Sequence, residues 1–270
     1  MTERIADAPD DVLVLAYHAV SDTWDANTTV TPAQLREQIK YLLQRGYISV
    51  TFDRALSAPP RGKVLAVTFD DAHRSVVEIA FPMLRELGAV ATVFAPTDYI
   101  GTGQPTGWEG FADAARGPHA AELICMDWDQ LRAVTDGGWE VGSHTCSHPH
   151  LTRLSPDDLR DELARSRAVL EERLQRPCRT LAYPYSSVNG QVVEATDAAG
   201  YTYAATLPIG HRLSTPLRWS RVGVFRNDSP RRFKLLTSRA TRGFTATATG
   251  SMAADMVRNV KGQARRVLGR

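Results

Sequence analysis

Two observations predict a parallel α/β fold, built either as a barrel or as an open sheet. Short apolar runs, which read as buried strands, alternate with segments of helical periodicity six or seven times along the chain. The central run, Val64 to Phe69, ends in two adjacent carboxylates, Asp70 and Asp71. In α/β folds the carboxyl end of a strand is where active sites are built. No internal repeat or low-complexity segment interrupts the pattern.

The elements follow in order. Val12 to Tyr17 is a first apolar strand, with His18 directly after it. Thr31-Pro32 opens a helix with Thr31 as N-cap, Leu35, Ile39, Leu42 and Leu43 on one face, and Gly46 as the stop. Ile48 to Phe52 reads as a short strand, and Pro59 to Gly62 as a loop before the central strand. Val76, Ile79, Ala80, Met83, Leu84 and Leu87 recur at helical spacing, closed by Gly88. Val90 to Ala95 is the next strand. Gly101 to Pro118, rich in Gly and Pro and carrying Trp108 and Phe111, is a long loop of the kind that is usually functional. A helix over Asp127 to Thr135 and a strand over Trp139 to Gly142 follow. Ser155 caps the longest helix, whose inner stripe is Leu159, Leu163, Ser166, Leu170 and Leu174. Arg179 to Ala182, Thr202 to Thr206 and Trp219 to Phe225 are the remaining strands, with a helix over Val192 to Ala199.

The composition, 43% hydrophobic and 23% charged over 270 residues, is that of a soluble globular protein. Its net charge of +2 is unevenly spread. Residues 231–270 hold ten Lys/Arg and one Asp, whereas the remainder holds 22 basic and 29 acidic residues. The reading is therefore one domain over residues 10–228 and a basic, partly helical tail over 229–270. In that tail Met252, Met256, Val260, Ala264 and Val267 recur near helical spacing among basic residues. Such a stretch suits peripheral contact with an anionic membrane face. No aromatic interleaving points to nucleic acid. The N-terminus lacks a basic region followed by an apolar one, no apolar run is long enough to span a bilayer, and Cys125, Cys146 and Cys178 form no CxxC. A cytoplasmic protein with reduced thiols is expected.

Chemistry concentrates in two stretches. Asp70 and Asp71 can both face one pocket where the chain turns at the end of its strand. Two carboxylates so close resist sharing a dry site as two anions, so a cation is expected beside them. The rival reading of the pair is a helix N-cap with an acidic first turn. The second stretch is Gly138 to His150, in which a strand exits into His144 and His148 follows four residues later. Two histidines at that spacing can reach one ion from a helical turn. An Asp with two His leaves positions open for water and substrate. It suits Zn²⁺ foremost, with Co²⁺, Fe²⁺ or Mn²⁺ as alternatives.

Thr68-Phe69-Asp70-Asp71, Ser143-His144-x-x-x-His148-Pro149 and Ala182-Tyr183-Pro184-Tyr185, in this order, resemble the polysaccharide deacetylase family (carbohydrate esterase family 4, the NodB homology domain). The likeness covers about residues 10–225 and implies a distorted (β/α)7 barrel. It implies a metal-dependent hydrolase that removes N-acetyl groups from an amino-sugar saccharide and releases acetate. Asp71, His144 and His148 match the metal ligands, Asp70 the general base, and the backbone N–H of Tyr185 the oxyanion donor. The usual Leu-x-His acid near the end of the domain is not evident. Tyr17-His18-Ala19-Val20 instead resembles the branch of biofilm poly-N-acetylglucosamine deacetylases, which makes His18 the expected general acid. Ala182 stands where many members carry an Arg that orients the base. Arg221, on the last strand, could supply that guanidinium.

Ala72-His73 stands where Gly-Tyr is commoner, and His73 is expected at the rim as a solvent-facing first-turn residue, with an extra metal ligand as the alternative. Trp108, Trp128 and Trp219 read mostly as core, with Trp108 the best candidate for a sugar-stacking aromatic because its loop should lie near the mouth. His211 is a weaker alternative for the acid, His150 and His119 read as surface residues, and Cys146 as an inward-packed thiol. Two rival functions share these residues: a same-fold amidohydrolase acting on a formamide or cyclic ureide, and a catalytically inactive glycan-binding module.

Overall fold

In the computed structural model, which describes residues 11–207 and 214–245, the apolar runs lie in one parallel sheet. The strands are, in chain order, β1 (Asp11–Tyr17), β2 (Ala19–Val20), β3 (Thr29–Val30), β4 (Tyr47–Ser49), β5 (Lys63–Phe69), β6 (Ala91–Ala95), β7 (Glu140–Ser143), β8 (Thr180–Ala182), β9 (Tyr203–Thr206), β10 (Trp219–Ser220) and β11 (Val222–Gly223). The helices are α1 (Pro32–Gln44), α2 (Phe52–Ser57), α3 (Phe81–Glu86), α4 (Trp128–Asp136), α5 (Pro156–Leu174), α6 (Gly190–Ala198), α7 (Pro230–Thr237) and α8 (Arg239–Thr245).

The sheet runs β10-β9-β8-β7-β6-β5-β1-β11, with β4 added beside the first half of β5. β10 and β11 are two halves of one strand, interrupted at Arg221. Trp219 and Ser220 pair with Ala205 and Thr206, whereas Val222 and Gly223 pair with Leu15 and Ala16. The two edges of the sheet thus meet across a single residue, and the ring is the expected (β/α)7 barrel. The expected continuous strand from Trp219 to Phe225 is broken because its halves serve different neighbours.

Alternation along the strands sorts side chains into two packed regions. Val14, Val64, Ala66, Phe94, Ala182 and Ala205 fill the barrel, closed from below by Phe52 and Ala55 of α2. Leu13, Leu15, Leu65, Val67, Phe69, Val93, Val141 and Leu181 point outward and pack under the helices. From α5 the buried residues are Leu159, Leu163, Ser166, Leu170 and Leu174, the predicted stripe. Thr31 caps α1 in a capping box with Gln34, and Asp127 does the same for α4 with Gln130.

Three local expectations are corrected. The strand expected over Ile48 to Phe52 stops at Ser49, because Thr51 caps a new helix by accepting from the Arg54 N–H. The helix over Val76 to Leu87 begins as a π-turn (Val76–Ala80) before α3. Pro82 supplies no N–H to the carbonyl four residues back, and the wider turn accommodates this. Beyond residue 228, α7 and α8 pack on the barrel instead of trailing from it. Phe233 is buried against Tyr41 of α1, and Arg242 donates to both Asp11 carboxylate oxygens at 2.7 Å. The amphipathic pattern from Met252 to Val267, and His211, lie outside the described residues. Among those described, no helix is long and apolar enough to cross a membrane.

Candidate active site

The inward positions of β5 continue as Val64, Ala66, Thr68 and then Asp70, just past the strand. The Asp70 N–H still donates to the Tyr17 carbonyl at 2.9 Å, so its side chain keeps the barrel-facing phase. Asp71 and Ala72 then adopt left-handed backbone, with φ of 70° and 49°. That turn lets both aspartates enter the same mouth.

Arg221 reaches Asp70 from the gap between β10 and β11. Nη1 donates to Oδ1 and Nη2 to Oδ2, both at 2.7 Å, and Nη1 also donates to the Thr68 hydroxyl at 2.8 Å. The guanidinium is buried, with its carbon 5.5 Å from the centre of the Phe94 ring. Burial by itself would raise the Asp70 carboxyl. The Arg221 charge and its two hydrogen bonds override burial and hold Asp70 below the ordinary aspartate value, poised as an anion.

His144 follows β7 on the inward phase set by Glu140 and Gly142. Its Nδ1 lies 2.8 Å from the Ala182 carbonyl, an oxygen that can only accept, so Nδ1 carries the proton and Nε2 the lone pair. Nε2 of His144 lies 3.3 Å from Asp71 Oδ1, and Nε2 of His148 lies 3.4 Å from the same oxygen. A lone pair facing a carboxylate oxygen at this range calls for a proton or a cation between them. The donor atoms of Asp71, His144 and His148 lie within 4.8 Å of one another, and all three residues are buried. Two imidazole nitrogens and one carboxylate oxygen, one imidazole fixed by a backbone carbonyl, fit a divalent metal.

The loop between the histidines is held from α5. Glu162 Oε2 accepts from the N–H groups of Cys146 and Ser147 at 2.8 and 3.0 Å, and Oε1 accepts from the Ser147 hydroxyl. This anchor secures two left-handed residues, Thr145 (φ 66°) and His148 (φ 61°). Tyr185 and Ser186 are left-handed too, at 54° and 55°. Non-glycine residues in this region are strained, and among the described residues all but Gln175, at the end of α5, lie in the Asp71, His144–His148 and Tyr185 segments. Nothing in the sequence signals them. Glu162 carried a faint signal, lying three residues after Leu159 and four before Ser166, on the flank of the buried stripe.

His18 comes from the inward phase of β1, its Nδ1 buried without a partner among the described residues. Burial, foremost, lowers its basicity; the nearby Asp71 and Asp70 oppose that, while Arg221 and His73 reinforce it. His18, Asp70, Asp71, His144, His148 and Arg221 therefore share one mouth. Three expectations are corrected. His73 is 1% exposed, not at the rim, and its Nε2 lies 3.4 Å from Asp71 Oδ2. Trp108 does not present a free face: it stacks on His148 at 4.1 Å between ring centres and is itself buried. His150 is half-buried and stacks on Tyr185 at 3.9 Å; the Tyr185 hydroxyl donates to the Glu109 carbonyl of the long loop at 3.2 Å.

The family model for polysaccharide deacetylase matches residues 57–204. The chain belongs to the polysaccharide deacetylase family. The match includes Asp70, Asp71, His144, His148 and Tyr185, and leaves His18 and Arg221 outside it. Among similar deacetylase-family proteins, YxkH of Bacillus subtilis is 24% identical over 214 residues, 77% of this chain and 67% of its own. The poly-β-1,6-N-acetyl-D-glucosamine N-deacetylase of Staphylococcus aureus is 25% identical over 194 residues, 67% of this chain and 62% of its own. The chain thus spans about two thirds or less of these two relatives. The fold matches the deacetylase PplD of Streptococcus pyogenes, solved with acetate, at a TM-score of 0.70 and 23% identity, covering 86% of this chain and all of that one.

Proposed function

We propose that this polysaccharide deacetylase is a metal-dependent N-deacetylase that releases acetate from an amino-sugar saccharide. The observation that carries the reading is the convergence of Asp71, His144 and His148 beside the Asp70–Arg221 pair in one buried mouth. The staphylococcal relative, named for poly-N-acetylglucosamine, supports an N-acetylated saccharide as substrate.

Asp71, His144 and His148 would hold the ion. A bound divalent metal supplies Lewis acidity, polarising the acetyl carbonyl and acidifying water. Asp70, kept anionic by Arg221, takes a proton from the attacking water. Each of its oxygens accepts one Arg221 N–H and keeps a further lone pair for that proton. The backbone N–H of Tyr185 donates to the oxyanion that forms on the acetyl oxygen. The C–N bond then breaks, and His18 protonates the departing amine.

The test measures acetate from β-1,6-linked N-acetylglucosamine oligomers and from chitooligosaccharides, with and without chelator, beside Asp70→Asn. Chelator-sensitive acetate, restored by Zn²⁺ or Co²⁺ and lost in the variant, is expected. Formate from a formamide would select the rival amidohydrolase. Metal-loaded protein releasing neither product would overturn the reading.

A further inference from the structure

We propose that His73 positions Asp71, holding Oδ2 of the carboxylate so that Oδ1 alone faces His144 and His148. The inference rests on the metal reading above and names a residue that the family's common Gly-Tyr sequence would not supply.

The carboxylate is divided between two sides. His73 Nε2 lies 3.4 Å from Oδ2, whereas His144 and His148 face Oδ1 at 3.3 and 3.4 Å. His73 does not join the three residues whose donor atoms lie within 4.8 Å of one another. It approaches from the far side. Its Nδ1 is buried without a partner among the described residues. A proton on the nitrogen that faces the carboxylate avoids two facing lone pairs; His148, whose Nδ1 is likewise without a partner, differs in facing Oδ1 from within the ligand group. Nε2 of His73 is thus the group placed to donate to Oδ2. His144 is in the opposite tautomer, its Nδ1 donating to the Ala182 carbonyl and its Nε2 free to ligate. The two histidines thus make complementary use of one carboxylate.

The His73 ring is held from outside. Its backbone pairs with Cys125 in an isolated antiparallel bridge. On either side, the Met126 N–H donates to the Ala72 carbonyl at 2.8 Å and the Arg74 N–H to the Ile124 carbonyl at 2.9 Å. Cys125 Sγ donates to the Asp71 carbonyl at 3.2 Å, and Trp24 meets the imidazole edge-on with ring centres 6.3 Å apart. Replacing the ring removes none of the backbone bonds. It removes the donor on Oδ2, leaving the carboxylate free to turn or to chelate through both oxygens. Partners of metal ligands are commonly worth about ten- to a hundredfold in metal affinity.

The experiment is competition of the full-length chain against a chromophoric chelator for Zn²⁺ and Co²⁺, with His73→Phe and His73→Gln. Phe keeps the ring volume and removes the donor; Gln keeps a donor. The expected result is a loss of about ten- to a hundredfold in affinity for Phe, rescue to within about threefold by Gln, and a Co²⁺ visible spectrum showing the same number of ligands throughout. Melting of the metal-free proteins checks folding, and His73→Leu replaces Phe if Phe does not fold. Parent-like affinity in a folded donor-free variant would overturn the proposal, as would a Co²⁺ spectrum that loses a ligand with His73. If the parent chain binds neither ion, or binding survives His144→Ala, the metal reading itself has failed.

Discussion

Arg221 holds Asp70 by both carboxylate oxygens, and it does so from the one residue that separates β10 from β11. The pair is buried, so each member compensates the desolvation of the other. Arg221→Ala leaves an unpaired buried carboxylate, a loss of about 3–5 kcal/mol in unfolding free energy. Arg221→Lys keeps the charge and loses the two-pronged grip. We expect Lys to recover part of the stability and little of the turnover. Urea unfolding beside acetate release separates the two. Turnover in Lys equal to that of the parent would show that charge alone suffices.

In the proposed mechanism His18 protonates the leaving amine. His18→Asn should lower turnover on the amide by about 10²–10⁴-fold and leave metal affinity unchanged. An activated aryl acetate has a leaving group that needs no proton. Its hydrolysis should fall far less. Equal losses on amide and ester would remove His18 from the role of acid.

Gly142 lets the Phe94 ring cross the barrel beneath the site. A Cβ at 142 would stand 2.7 Å from Phe94 Cε1 and 2.4 Å from Thr180 Oγ1. Neither can retreat without disturbing the packed interior, and Arg221 rests on that same ring. Gly142→Ala should cost about 1–3 kcal/mol by denaturant unfolding. A fully active, equally stable variant would mean that the interior repacks without strain.

Glu140 gives a pH dependence away from the proposed metal residues. Burial, foremost, raises its carboxyl above the ordinary glutamate value; donation from Thr180, the Asp53 N–H and Thr92 only partly offsets this. A raised value in the folded state contributes stability that is full below the unfolded value of about 4.3 and is lost as pH rises through the folded one. Unfolding free energy, parent minus Glu140→Gln, should therefore fall as pH rises above the unfolded value of about 4.3. A difference that does not vary with pH would show that Glu140 titrates normally.

The residues that end apolar runs were the legible part. Asp70, His18 and His144 follow buried strands on the inward phase, so the alternation that makes the strands recognisable also aims these side chains. Features set by distant neighbours were not legible. Trp108 is covered by His148, forty residues away in sequence, and no local pattern marks that stack. His73 looked like a first-turn surface residue because its partners, Trp24 and Cys125, come from other loops. The last strand read as continuous, since its break at Arg221 reflects two different neighbours rather than a Gly or Pro. α7 looked like a basic tail because a single buried aromatic, Phe233, anchors a helix whose other residues are mostly polar.

The split last strand also orders events in the life of the chain. A polypeptide emerging from synthesis possesses Asp70, Asp71, His144 and His148 before residue 221 exists. Until that residue is laid into the gap, the ring is open and the carboxylate has no cation to keep it charged in a dry interior. On the proposed mechanism, activity is expected only once the barrel has closed, and a product cut short anywhere before Arg221 is expected to release no acetate however much of the site it contains.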